Sequence, residues 1–76
     1  MIKEHERLVL NSDLRQEGLQ AGDVGTVVHV HRGGEAYEVE FVALDGETVA
    51  VVTLLASQVR PIARREITHA RPLASV

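Results

Sequence analysis

Two glycine-bearing turn signals, Gly33-Gly34 and Asp45-Gly46, flank a segment in which Tyr37, Val39 and Phe41 alternate with polar residues. Glycine tolerates the positive φ that tight hairpin loops require, so each signal reads as the loop of a β-hairpin. A two-residue loop at Gly33-Gly34 sets Arg32 opposite Glu35. Val30 then meets Tyr37, Val28 meets Val39 and Thr26 meets Phe41 on one face. On the other, His31 meets Ala36, His29 meets Glu38 and Val27 meets Glu40. A two-residue type I′ loop at Asp45-Gly46 sets Leu44 opposite Glu47, and so pairs Tyr37 with Leu54, Val39 with Val52 and Phe41 with Ala50. The two turns independently send Tyr37, Val39 and Phe41 to one buried face, the pattern of a half-buried antiparallel sheet.

The rest of the chain extends this meander. Valine occurs 12 times, and β-branched residues suit a pleated surface better than a helix. Turn-rich breaks separate expected strands at 6–10, 24–31, 36–43, 47–54 and 59–62. Residues 11–22 lack a clean period and read as a long loop, while Ala56-Ser57-Gln58 suits one helical turn. Gly25, inside the second strand, allows a bulge or a close backbone approach. Strands 6–10 and 59–62 would close the meander into a small all-β, five-stranded barrel spanning residues 1–62. Residues 63–76 would form a C-terminal tail, flexible or weakly helical.

Composition narrows the function classes. A chain of 76 residues, 45% apolar and 25% charged, is ordinary globular material for one domain. No apolar run approaches the ~18 residues of a membrane span, and residues 1–6 lack a signal-peptide core, so a cytoplasmic location is expected. The absence of cysteine removes disulfides, a thiolate nucleophile and Cys-ligated metal. Domains this small are commonly reinforced by disulfides, metal or oligomerisation, which leaves self-association as an option. Residues 1–62 hold five Lys/Arg against ten Asp/Glu, net −5; residues 63–76 hold three Arg against one Glu, net +2. An acidic body repels phosphate backbones, whose binding rests on Lys/Arg.

Few side chains suggest chemistry. His29 and His31 share a strand face but lack a third metal ligand, and pairing of His29 with Glu38 across the hairpin is the simpler expectation. Glu38 and Glu40 stand two apart on the same solvated face rather than in a cleft. Both aromatics, Tyr37 and Phe41, point inward, so neither a proline-rich peptide groove nor a base-stacking platform is expected. No catalytic, cofactor-binding or metal-ligating residue is therefore assigned. What stands out is an outer face bearing Val27, Val42, Val49 and Val51 among His29, His31, Glu38, Glu40 and Thr53, a candidate partner surface. The alternative is that strand curvature, the 11–22 loop or the tail covers those valines.

The run Leu19-Gln20-Ala21-Gly22-Asp23-Val24-Gly25-Thr26-Val27-Val28-His29-Val30, with Gly33-Gly34, residues 36–41, Asp45-Gly46 and Val59-Arg60-Pro61, resembles a family of small bacterial proteins, domain of unknown function 4926. The resemblance covers residues 2–61. It implies an SH3-like barrel in a bacterial cytosolic protein that works beside a partner protein, such as the neutralising, antitoxin-like half of a toxin–antitoxin pair. It assigns no functional residues. The Gly22-Asp23-Val24-Gly25-Thr26-Val27 entry also resembles the first strands of KOW modules, which bring basic residues that this body lacks. The expected function is accordingly a non-enzymatic protein-interaction module, acting on itself or on a partner. The alternative is a KOW-like nucleic-acid contact through Arg60, Arg64, Arg65 and Arg71.

Overall fold

The valine-rich segments and the turns between them form five strands in the computed structural model, which describes residues 1–73. They are β1 (Arg7–Leu10), β2 (Val24–His31), β3 (Ala36–Val42), β4 (Thr48–Leu55) and β5 (Val59–Pro61). All pair antiparallel in one sheet of order β4-β3-β2-β1-β5. Each strand lies within one residue of its expected bounds. Among the described residues no β4–β5 pairing joins the ends of this order, so the hydrogen-bonded sheet is open. The expected helical turn is a single 3₁₀ turn, Ala56–Gln58. Gln58 Oε1 accepts the Leu55 N–H at 2.8 Å, and the Ala56 N–H donates to the Glu35 carbonyl at 3.1 Å.

The β3–β4 register is the expected one: Tyr37 faces Leu54, Val39 faces Val52 and Phe41 faces Ala50. Past Phe41 it slips by one, Val42 facing Thr48, and Val49 is the extra residue. The loop explains the slip. Ala43 donates to the Glu47 carbonyl and Gly46 donates to Ala43, which leaves a three-residue loop with Gly46 at φ 93° rather than the expected two-residue turn. Three-residue hairpin loops of this kind end in a left-handed residue, here glycine. The Asp45 carboxylate accepts the Glu47 N–H at 3.0 Å and holds the turn.

The β2–β3 pair departs further from expectation. His29–Glu38, Val30–Tyr37 and His31–Ala36 pair as expected, but a bulge at Val28 shifts the remainder, so that Val27 faces Val39 and Thr26 faces Glu40. Arg32 and Glu35 belong to a four-residue loop in which Arg32, Gly33 and Gly34 all have positive φ. The bulge has a packing reason. An unbroken register would bury the Thr26 hydroxyl against Phe41, a polar burial that costs free energy without a partner. With the extra residue, Val27 and Gly25 turn inward and Val28 turns out. Gly25 then faces Leu8 in β1, with the Val39 and Phe41 side chains against its Cα.

The core comprises Leu8, Leu10, Val27, Tyr37, Val39, Phe41, Leu54 and Val59, capped by Ile2 from the N-terminus and Leu19 from the 11–22 loop. That loop is ordered by a 3₁₀ turn at Arg15–Glu17 and an isolated bridge between Leu14 and Leu19. Leu19 is thereby carried into the interior rather than over the outer face. Residues 62–73 contain no helix or strand. Two arginine pairs tie this segment back, described below; residues 74–76 of the expected tail lie outside the described residues.

Candidate interaction surface

Six of the eight residues singled out from sequence share the outer face of the sheet: His29, His31, Glu38, Glu40, Val42 and Val51. Two do not belong there. Val27 is fully buried because the bulge reverses its side, and Val49, the extra residue of β4, packs against the core. Leu55 and Val28 replace them as exposed apolar residues. Leu55 was legible, since it continues the outward alternation Val51, Thr53, Leu55; Val28 was not, since nothing local announces the bulge.

The histidines and glutamates of this face are each paired. His31 Nε2 lies 3.1 Å from Glu38 Oε2, a diagonal contact, whereas His29 turns away from its backbone partner Glu38 so that its Nδ1 sits 3.4 Å from Glu4 Oε2. The expected His29–Glu38 side-chain pair is thus replaced by two separate ones. The His29 and His31 rings meet edge to face with centroids 4.6 Å apart. Thr48 Oγ1 donates to Glu40 Oε2 at 2.7 Å. With the carboxylates occupied, what is left open is Thr53 and four aliphatic side chains, Val28, Val42, Val51 and Leu55, exposed to 41%, 45%, 54% and 59%.

The two edges of the sheet differ sharply. β5 is three residues long and ends in Pro61, which lacks an N–H. Arg60 there holds Glu66 through two charge-assisted hydrogen bonds of 2.8 and 2.6 Å. β4 is eight residues long, Thr-Val-Ala-Val-Val-Thr-Leu-Leu, without a charge, proline or glycine. Edge strands are normally blunted by Lys, Pro, short length or cover, because their free N–H and C=O groups template pairing with another chain. β5 is protected in this way; among the described residues β4 is not.

Of the four arginines named for a nucleic-acid contact, Arg60 and Arg71 are engaged, while Arg64 and Arg65 are exposed and in no ion pair among the described residues. The Arg60 hydrogen bonds, with the Ala63 N–H, hold the Glu66 carboxyl down to about 2. Arg71 Nε and Nη2 grip both Asp23 oxygens, at 2.9 and 2.5 Å, and Nη2 also donates to the Gly18 carbonyl. Burial pushes the Asp23 carboxyl up, but the Arg71 hydrogen bonds, the Gln20 N–H and the guanidinium charge outweigh it and leave it below its ordinary value. Residues 68–71 thereby wall one side of an open groove of about 540 Å³, whose floor includes Leu19, Phe41 and Val49.

A family model, Domain of unknown function (DUF4926), matches residues 4–61, from just before β1 to the end of β5. The chain belongs to that family. The match stops where the arginine-tied segment begins, so both sheet edges and the outer face lie within the shared domain. No curated protein and no solved structure matches the chain. Among the described residues no helix is long and apolar enough to cross a membrane.

Proposed function

We propose that this DUF4926 domain is a non-enzymatic protein-interaction module of SH3-like barrel type, the partner-binding or antitoxin-like half of a small bacterial pair acting in the cytoplasm. The observation that carries the reading is the free β4 edge with Val51 and Leu55 exposed beside it. Such an edge supplies main-chain hydrogen bonds for an added strand, and the adjoining aliphatic side chains supply the contact area. The fold type is supported by the placement of β5 beside β1, the 3₁₀ turn before β5 and the long loop after β1. A non-catalytic role is supported by the outer-face carboxylates, which bond to His31 and Thr48 on an open surface rather than standing in a cleft. Engagement of Arg60 and Arg71 by Glu66 and Asp23 leaves only Arg64 and Arg65 exposed for a nucleic-acid contact, too few cationic groups beside an acidic body to carry that alternative.

The test is Val51→Glu, which places a charge on the exposed side of β4 without touching the core. Affinity capture from the native host, with mass-spectrometric identification, should show a partner held by wild type and lost by a variant of unchanged circular dichroism. A partner retained by the variant would refute the reading.

A further inference from the structure

Resting on the reading of β4 as an interaction edge, we infer that its occupant is a second copy of the same chain, paired antiparallel about a two-fold axis at Thr53. The Ala56 N–H bonds to Glu35, so Ala56 and, by alternation, Leu54, Val52 and Ala50 direct their backbone groups at β3. The backbone N–H and C=O groups of Val51, Thr53 and Leu55 therefore point out of the sheet. A two-fold perpendicular to a sheet keeps inner faces on the same side, so each residue must meet one of its own parity. Centring on Thr53 satisfies this, and sets Thr53 against Thr53, Val51 against Leu55 and Val52 against Leu54. The Thr53 N–H bonds would run both ways, each Val51 N–H would reach the other copy's Leu55 carbonyl, and the incoming Val51 carbonyl would take over the Leu55 N–H from Gln58 Oε1.

The same register covers the two exposed aliphatic side chains of β4 with each other, twice. Like charges do not meet along it, since residues 48–55 carry none. A second copy brings an equally uncharged edge, whereas a charged segment would leave its charges without partners on this strand. The contact is short for a specific interface, so a reversible, concentration-dependent dimer is expected rather than an obligate one.

Sedimentation of the full chain from micromolar to millimolar concentration, alongside residue-resolved amide exchange, tests the inference. The expected result is a monomer–dimer equilibrium in which the Val51 and Thr53 amides slow as concentration rises. Thr53→Lys, at an exposed position, would place two ammonium groups face to face and raise the dissociation constant several-fold. Mixing it with Thr53→Glu should restore association, which only a register centred on this residue allows. A wild-type chain that stays monomeric at millimolar concentration, a dimer whose Val51 and Thr53 amides exchange independently of concentration, or a charge-swapped mixture that fails to associate would each overturn it. If a variant fails to fold, the wild-type exchange data decide alone. A strict monomer that still loses a host partner on Val51→Glu removes only the second copy; a monomer with no such loss removes the interaction reading as well.

Discussion

Gly25→Ala pits two opposing effects against each other. Replacing a strand glycine by alanine ordinarily gains about 0.5–1 kcal/mol, because the unfolded chain has less freedom to lose. Here the added Cβ would lie 2.5 Å from Val39 Cγ1 and 2.9 and 3.0 Å from the Phe41 ring carbons Cε1 and Cζ. Non-bonded carbons prefer about 3.5–4.0 Å, so the Val39 overlap approaches ~1 Å. Neither neighbour can retreat: both are buried in the core, and Val39 is β-branched and stiff about χ1. Overpacking of this kind costs about 1–3 kcal/mol, so the steric term wins and the net loss is roughly 1–2 kcal/mol. For a domain of this size that lowers Tm by about 5–15 °C. Urea unfolding followed by circular dichroism should move to a lower midpoint with unchanged m-value. Val39→Ala in the same background removes the closest clash, and the double-mutant cycle should return part of the loss as a favourable coupling. A Gly25→Ala protein as stable as wild type, or more so, would refute the close-approach account of this glycine.

Two further expectations follow from the same packing. Val27→Ala should cost about 2 kcal/mol as a buried valine loses its methyl groups, whereas Val28→Ala should stay within about 0.5 kcal/mol; equal or reversed losses in chemical unfolding would place β2 in an unbulged register. The Arg71–Asp23 and Arg60–Glu66 pairs both hold carboxyls below their ordinary values, so their contribution is present above the unfolded pKa and lost as pH falls through the folded one. Backbone order of residues 68–71, read by 15N relaxation, should persist at neutral pH, fall away as acid titrates the lowered Asp23 carboxyl, and be lost at every pH in Arg71→Ala; a segment equally ordered in that variant would show that the ion pair does not hold it.

Alternation and turn chemistry made much of the fold legible in the sequence. Two turns agreed on Tyr37, Val39 and Phe41, and these three residues are buried. The β3–β4 register followed from the parity of the short-range pattern, and all five strands lie close to their expected ends. Loop lengths were less legible, because Gly33-Gly34 and Asp45-Gly46 suit loops of two, three or four residues equally well. The bulge at Val28 was hidden for a related reason. Val27 and Val28 have the same local preference, and only the Phe41 ring and the Leu8 strand on either side decide which one turns inward.

Local turn geometry and side-chain alternation act over a few residues, so the amino-acid order alone determined that this chain is an antiparallel meander with one aliphatic face. Contacts between distant segments settled the rest. They include the bond of Arg71 to Asp23, 48 residues away, the shift of the histidine partners to Glu4 and Glu38, and the exposure of β4 beside a protected β5. No local pattern encodes which strand becomes an edge. That depends on where β5 docks, and its place beside β1 leaves β4 open.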